Sequence, residues 1–224
     1  MNRFRIKICG ITRLEDLYAS VDAGADALGF IIDVPSSPRN LTLEKAEELM
    51  KETNIFVRKV AVTVFRNMDQ IIRIYRELKP DMIQIHGGPL STEEKLSLSK
   101  HVPVIRAISV RGEEAIREAL KDAQFFDAIL ADSYAPNKYG GTGVTHNWTI
   151  SRRIRDVISP KPLILAGGLN PRNVKNALLA VKPSAVDVSS GVESKPGIKD
   201  REKIMAFIRE VRRAEECLNL ASIR

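Results

Sequence analysis

The chain has 224 residues, of which 44% are hydrophobic and 5% aromatic, so it can bury a large core as one domain. Its 35 lysine and arginine residues outnumber its 28 aspartate and glutamate residues, which gives a net charge of +7. The basic residues are spread along the chain and no recognised nucleic-acid module is visible, which argues against a nucleic-acid partner. The same excess suits the attraction of a phosphorylated small molecule.

The two cysteines, Cys9 and Cys217, lie at opposite ends of the chain and form neither a disulfide framework nor a metal-ligand spacing. The first residues lead directly into a strand pattern without the apolar segment of a signal peptide, and no apolar run is long enough to cross a bilayer. These features predict a cytoplasmic protein without a metal, a cofactor or a membrane partner. They leave open whether it is a monomer or a homodimer.

Short apolar, strand-like runs alternate with helical patterns along the whole chain. The strand-like runs fall at about 5–9, 27–32, 57–64, 82–86, 103–108, 127–131, 162–166 and 185–188. The helical patterns fall at about 14–21, 43–50, 68–78, 91–99, 113–121, 147–157, 172–181 and 200–213. This alternation, without hairpin turns between the runs, implies parallel strands joined by helical crossovers.

The strands are mostly continuous apolar runs such as Leu163-Ile164-Leu165, as expected when both faces of a sheet are buried. The number of units and the chain length predict an α/β fold, a (β/α)8 TIM barrel. We expect a single domain over residues 1–224, with a helical extension from about residue 213. A doubly wound open sheet is the alternative.

Chemically active side chains end two of the predicted strands, where the active face of a barrel lies. Cys9 ends the first strand, where amide dipoles at a strand-to-helix junction favour a thiolate, although a small buried hydrophobe is the alternative. Asp132 ends the sixth strand after an apolar run. Partial burial there would raise the pKa of its carboxyl group and suit it to general-acid work. Ordering of the loop through Ser133 is the alternative.

Three further polar residues follow strands and suit ligand binding. Arg39, after the second strand, carries a planar fork that fits a carboxylate or a phosphate, although a solvated surface arginine is the alternative. Gln84 and His86 share one side of the fourth strand, by the period-two alternation of strands. Both side chains can point inward at the mouth of the barrel. For His86, the alternative is a structural role in which the ring is held by hydrogen bonds.

Glycine- and serine-rich loops follow the sixth, seventh and eighth strands. Small residues after the last strands of a barrel expose backbone amides to a phosphate, whereas a tight turn is the alternative for each loop taken alone. The predicted phosphate-binding residues are Gly141, Gly143, Gly167, Gly168, Ser189, Ser190 and Gly191.

Five segments resemble the phosphoribosylanthranilate isomerase family of tryptophan biosynthesis, in the family's order and between residue 5 and about residue 208. They are Lys7-Ile8-Cys9-Gly10-Ile11-Thr12, Gln84-Ile85-His86-Gly87, Tyr139-Gly140-Gly141-Thr142-Gly143, Ala166-Gly167-Gly168-Leu169-Asn170-Pro171 and Asp187-Val188-Ser189-Ser190-Gly191-Val192-Glu193. The resemblance implies a TIM-barrel isomerase. Its reaction is the Amadori rearrangement of N-(5-phosphoribosyl)anthranilate to 1-(2-carboxyphenylamino)-1-deoxyribulose 5-phosphate.

By this resemblance, Asp132 corresponds to the general acid that protonates the furanose ring oxygen, and Cys9 to the general base that takes the C2 proton from the iminium. Arg39 corresponds to the group that holds the anthranilate carboxylate. A thiol of ordinary pKa, about 8.5, is mostly protonated at neutral pH, so Cys9 needs help from the cationic intermediate or from Lys7. Substrate positioning is predicted for Gln84, His86 and Asp187.

Two other functions compete with this one. The first is a different barrel isomerase or epimerase that acts on another aminated or phosphorylated pentose. The second is a basic scaffold or nucleic-acid-binding protein, which would bind oligonucleotides in a salt-sensitive manner and would not depend on Cys9 or Asp132.

Overall fold

The computed structural model describes residues 3–100, 102–133 and 145–221, and in it eight parallel strands close into a barrel. The first strand pairs in parallel with both the second and the last, which completes the ring. The predicted (β/α)8 barrel is therefore confirmed, and the doubly wound alternative is wrong. The strands are β1 (Arg5–Cys9), β2 (Ala27–Ile32), β3 (Arg58–Val64), β4 (Met82–His86), β5 (Val104–Val110), β6 (Ala128–Ser133), β7 (Leu163–Leu165) and β8 (Ala185–Val188).

A helix follows each barrel strand, and each of the first seven helices carries the chain back to the start of the next barrel strand. The helices are α1 (Leu14–Ala23), α2 (Leu43–Lys51), α3 (Met68–Leu78), α4 (Thr92–Ser99), α5 (Glu114–Asp122), α6 (Trp148–Ile158), α7 (Val174–Val181) and α8 (Arg201–Ala221). Side-chain caps define several of their starts. Thr42 accepts from the Lys45 N–H before α2, and Ser91 and Glu94 form a reciprocal capping box at α4.

The structure differs from the sequence prediction at a few element ends. Strand β6 continues to Ser133, so Asp132 lies inside the strand rather than after it. A two-residue strand, Asn40–Leu41, pairs with the end of β2. Beyond β8, a hairpin of Glu193–Lys195 and Ile198–Lys199 precedes α8. Within the described residues, no helix is long and apolar enough for a membrane span.

Two apolar layers hold the barrel together, and strand alternation sorts side chains between them. The thicker layer lies between strands and helices, and it receives Ile6 and Ile8 of β1. The thinner layer fills the barrel interior, and it receives Cys9 together with small and branched side chains such as Val62 and Ala107. Because Lys7 shares the parity of Cys9, its long charged side chain is directed into the barrel rather than toward the helices.

The last helix anchors the first strand. Helix α8 runs without a break through residue 213, and Glu215 Oε1 accepts a hydrogen bond of 2.7 Å from the Phe4 N–H. Arg212 Nη1 donates to the Phe4 carbonyl at 3.1 Å and to Glu215 at 2.6 Å. The residues beyond 213 therefore satisfy the backbone at the start of β1.

We expect Glu215→Ala to lower the free energy of unfolding by about 1–3 kcal/mol, because it leaves the half-buried Phe4 N–H and Arg212 without their shared partner. Urea denaturation measures this loss. Its neighbour Glu216 is exposed, so Glu216→Ala is the matched control, with an expected change within about 0.5 kcal/mol. Equal losses in the two variants would contradict the anchoring contact.

Candidate active site

The carboxyl ends of the strands surround one pocket, and most of the predicted site residues line it. The lining includes Cys9, Arg39, Gln84, His86, Asp132, Gly167, Gly168, Asp187, Ser189 and Ser190. Gly191 lies behind the pocket wall, where it packs against the main chain of Leu169. Gly141 and Gly143 lie outside the described residues. The barrel thus brings together side chains from its first, second, fourth, sixth, seventh and eighth units.

A buried ion pair stands at the base of the pocket. Lys7 Nζ donates to Asp187 Oδ1 at 2.9 Å, and both side chains are almost fully shielded from solvent. The Lys7 ammonium group also lies close enough to the Cys9 side chain to lower the pKa of that thiol. Burial by itself lowers the pKa of Lys7, but the charges of Asp187 and Cys9 outweigh burial and raise it, so Lys7 stays cationic.

The Cys9 thiol is held in its neutral form. Burial raises the pKa of this thiol and Asp187 adds to the rise, while the nearby Lys7 ammonium opposes both. The sequence predicts that amide dipoles favour the thiolate and so lower this pKa, but the shift is in the opposite direction. Helix α1 begins only at Leu14, and the desolvation of the thiol outweighs the effect of the helix dipole. The expected contact with Lys7 is present, and it limits the rise in pKa.

Gly29 of β2 provides the space for the Cys9–Lys7 pair. A Cβ at this position would lie 2.8 Å from Cys9 Sγ and 3.1 Å from Lys7 Nζ, closer than side chains tolerate. Glycine within a strand often marks such a close approach.

Asp132 is a buried carboxyl group on the opposite side of the barrel from β1 and β2. Burial and the negative charge of Asp187 raise its pKa to about 7, although the Ser133 N–H and Lys7 oppose the rise. The rise expected from its place at the end of an apolar run is therefore confirmed. The Ser133 N–H donates to Asp132 Oδ1 at 2.8 Å, so the loop-ordering contact considered as the alternative is present as well.

Gln84 and His86 point the same way from β4, as the alternation predicts, and their Nε2 atoms lie 2.8 Å apart. Burial, with the positive charges of Lys7 and Arg106, lowers the pKa of His86 to about 3. The ring is therefore neutral and serves as a hydrogen-bonding group. Within the described part of the chain, Gln84 Oε1 is buried and has no hydrogen-bond partner, so it is available to a ligand.

The loops after β7 and β8 approach each other closely at the far side of the pocket. A Cβ at Gly167, which has φ of 81°, would overlap Ser133, and a Cβ at Gly191 would overlap the Leu169 carbonyl. Packing therefore leaves no room for a side chain at either position, and at Gly167 the positive φ also favours glycine. Closely spaced main chains after the last two strands are the arrangement with which barrels bind phosphate.

Arg39 is buried, with 7% of its surface exposed, so the alternative of a solvated surface arginine is wrong. Its Nε and Nη2 atoms each donate to Glu193 at 2.7 Å. Burial raises the pKa of Glu193, but the hydrogen bonds from Arg39 and the charge of Lys199 outweigh burial, and the pKa is lowered. Both members of the pair are therefore charged.

Four residues contribute to the site without a predicted role: Gly29, His146, Glu193 and Lys199. His146 bridges Ser133 Oγ at 3.1 Å and Ser151 Oγ at 2.6 Å, and burial lowers its pKa to about 4. Glu193 belongs to a segment that carries the family resemblance, which is a signal for its importance.

Within the described residues, no three histidine, cysteine, aspartate or glutamate side chains are grouped to hold a metal ion.

Comparison with known proteins identifies the family. The family model for N-(5'-phosphoribosyl)anthranilate isomerase matches residues 6–210. The chain belongs to the N-(5'-phosphoribosyl)anthranilate isomerase family. It is therefore an isomerase of tryptophan biosynthesis. The N-(5'-phosphoribosyl)anthranilate isomerase of Thiobacillus denitrificans is 42% identical over 93% of this chain and 98% of that protein.

Two crystal structures of the phosphoribosylanthranilate isomerase family are particularly informative. One is a complex with reduced 1-(o-carboxyphenylamino)-1-deoxyribulose 5-phosphate, with a TM-score of 0.81, 36% identity and coverage of 93% of this chain and 98% of the other. The second contains monomers generated from the dimeric enzyme of Thermotoga maritima, with a TM-score of 0.81, 36% identity and the same coverage of 93% and 98%.

The raised pKa of Asp132 predicts a pH-dependent stability. The folded-state pKa lies above the unfolded-state value, so burial of Asp132 costs little near pH 4 and costs most once pH exceeds about 7. We expect Asp132→Asn to stabilise the protein at pH 8 by roughly 2–4 kcal/mol relative to its effect at pH 4, at about 1.4 kcal/mol per pKa unit.

Urea denaturation of the wild type and Asp132→Asn across this pH range measures the effect. Asp22→Asn, at an exposed position on α1, is the control and should show no comparable pH dependence. A constant difference between Asp132→Asn and the wild type from pH 4 to pH 8 would contradict a buried carboxyl group that titrates near 7.

Proposed function

We propose that this protein catalyses the Amadori rearrangement of N-(5-phosphoribosyl)anthranilate, with Asp132 as general acid and Cys9 as general base. One observation carries the proposal. A carboxyl group with a pKa of about 7 and a thiol beside a buried ammonium face one pocket from different parts of the barrel. Acid and base on two sides of a sugar are what ring opening followed by proton abstraction requires.

The first step opens the ribose ring. Asp132 donates its proton to the ring oxygen while the bond between that oxygen and C1 breaks, and the lone pair of the anilino nitrogen forms a C1=N iminium. At neutral pH about half of the Asp132 carboxyl groups are protonated, since the pKa is about 7. An ordinary aspartate, with a pKa near 3.9, would supply almost no acid form at this pH.

The second step removes a proton from C2. The Cys9 thiolate accepts this proton, the C–H electron pair forms a C1=C2 bond, and the iminium nitrogen becomes neutral. Because burial raises the pKa of the free thiol, its ionisation, in which the thiol proton passes to solvent, needs a cation nearby. Lys7 supplies one positive charge and the iminium supplies another. The resulting enolamine then tautomerises to the ketone: C1 gains a proton, the C2 hydroxyl group loses one, and the C1=C2 double bond is replaced by the C2=O bond.

The remaining polar groups suit the two anionic ends and the hydroxyl groups of the substrate. The loops with Gly167, Gly168, Ser189, Ser190 and Gly191 are proposed to hold the phosphate, and Arg39 the ring carboxylate. The neutral His86 ring, the free Gln84 Oε1 and Asp187 are suited to hydroxyl groups. For Gly141 and Gly143, support comes from their place in the Gly-Gly-Thr-Gly segment alone.

Substitution of either catalytic residue should abolish most activity while the fold persists. We expect Cys9→Ala and Asp132→Asn each to lower kcat by about 10²–10⁴-fold, the range of a positioned acid or base. The assay follows the fluorescence decay of phosphoribosylanthranilate. Cys217→Ala removes the exposed cysteine on α8 and should leave the rate unchanged.

Near-normal turnover in Cys9→Ala or Asp132→Asn would remove the assigned role of that residue.

A parallel assay with the aldosylamine of the histidine pathway distinguishes a strict enzyme from one that accepts a second phosphorylated substrate. Absence of wild-type turnover of phosphoribosylanthranilate would refute the proposed function itself.

We further propose that the protein forms a homodimer through the amino-terminal end of its barrel. Ile55 and Phe56 precede β3 and are 90% and 87% exposed. Phe56 borders a depression whose floor includes the apolar side chains of Met82, Ile105 and Ile164. A second copy can place its own Phe56 in this depression, which gives a two-fold, self-complementary contact. The dimeric relative from Thermotoga maritima supports this assembly.

Phe56→Glu should convert the dimer to a monomer, because the contact would bury an unpaired carboxylate. Light scattering coupled to size-exclusion chromatography measures the mass of each variant. Leu96→Glu changes an exposed leucine on α4 and should leave the dimer intact. A monomeric wild type at tens of micromolar chain would contradict the proposed dimer.

A further inference from the structure

We propose that Glu193 is a positioning residue that directs the Arg39 guanidinium toward the carboxylate of the substrate, and that Lys199 ties this pair to the loop after β8. The inference deepens the proposed function and rests on it. It assigns a task to a residue that lies 154 positions from Arg39 along the chain.

The contact between Arg39 and Glu193 uses only one edge of the guanidinium. Nε and Nη2 donate to the two carboxylate oxygens of Glu193 at 2.7 Å each, a bidentate arrangement. No described residue accepts a hydrogen bond from Nη1, and Arg39 lines the pocket. Because the guanidinium is planar, holding its Nε–Nη2 edge determines the direction of its other N–H groups. Glu193 thus orients the free edge of Arg39.

Gly10 restrains the stem of the same side chain. A Cβ at Gly10, which has φ of 77°, would lie 2.5 Å from Arg39 Cδ, so the Arg39 methylene groups pack directly on the backbone that follows Cys9. Both the stem and the guanidinium of Arg39 are therefore held in place before any ligand arrives. A preoriented side chain loses less conformational entropy when it binds.

Lys199 connects this pair to the proposed phosphate loop. Its Nζ atom donates to Glu193 Oε1 at 2.9 Å and to the Ser189 carbonyl at 3.2 Å, and its side chain is fully buried. Burial lowers the pKa of Lys199, and the charge of Glu193 opposes this effect. Arg39 is the cation of this cluster that lines the pocket, where an anionic ligand can bind it.

The free-energy cost of burying these charged side chains favours a role in positioning over a role in stability. Desolvation of buried charges can exceed the attraction between them, so a buried ion pair is weak evidence for a contribution to stability. Arg39 lines the pocket, whereas Glu193 and Lys199 do not, so the pair presents its cation to a ligand. A ligand that carries a carboxylate explains this arrangement.

The test compares two ligands in wild type and Glu193→Gln. One ligand is reduced 1-(o-carboxyphenylamino)-1-deoxyribulose 5-phosphate, and the other is its phenylamino counterpart without the ring carboxylate. Glutamine keeps the shape of Glu193 but offers one acceptor in place of two. Calorimetry should show that Glu193→Gln binds the carboxylated ligand about 10–100-fold more weakly, and the counterpart within about 2-fold of wild type.

Steady-state kinetics supply a second readout. We expect Glu193→Gln to raise KM for phosphoribosylanthranilate by a similar factor, with a smaller change in kcat, because the lost contact acts on the bound substrate and transition state alike. Glu47→Gln, which alters an exposed ion pair with Lys51 on α2, is the matched control and should change neither ligand affinity nor KM.

Equal weakening of both ligands by Glu193→Gln, or no weakening of either, would overturn the inference. If Glu193→Gln does not fold, Glu193→Asp takes its place. Its shorter carboxylate should give an intermediate loss confined to the carboxylated ligand, and a loss shared by both ligands would again overturn it. Failure of the wild type to bind the carboxylated ligand or to turn over phosphoribosylanthranilate would refute the proposed function, and this inference with it.

Discussion

The site depends on the buried ion pair between Lys7 and Asp187. These residues are register partners across the seam where β8 meets β1 and closes the barrel. Their charges act on the ionisable groups around them: Lys7 lowers the pKa values of Cys9, Asp132 and His86, and Asp187 raises those of Cys9 and Asp132. The pair thus lies where the barrel closes, and its charges modify pKa values that burial shifts most strongly.

Before substrate binds, the proposed acid Asp132 is in its protonated, active form, whereas the proposed base Cys9 is not yet ionised. Asp132 keeps its proton up to about pH 7, and burial also keeps the Cys9 thiol protonated. The order matches the proposed chemistry, in which ring opening creates a cation before any base is needed. A thiol that ionises only beside the cationic intermediate avoids a permanent thiolate, which would be prone to oxidation.

The alternation of apolar runs with helical patterns predicted the barrel and its eight units, because a continuous apolar run indicates a parallel strand that is buried on both faces. Positions at the carboxyl ends of strands then located Cys9, His86 and Asp132. Contacts between distant segments could not be read in this way. The pairing of Arg39 with Glu193 depends on a hairpin that follows β8, and the direction of the Cys9 pKa shift depends on burial, which only coordinates reveal.

The charged interior is tolerated because stability comes mainly from another part of the molecule. The broad apolar layer between strands and helices contains most of the buried aliphatic and aromatic side chains, including Phe30, Phe126 and Phe207. The interior layer is thin and consists of small or branched residues near its centre. Charged side chains can therefore replace apolar ones at the carboxyl ends of the strands, because the apolar contacts of the outer layer offset the free-energy cost of burying the charges. Barrels separate stability from chemistry in this manner, which leaves the strand ends free to carry an acid, a base and anion-binding groups.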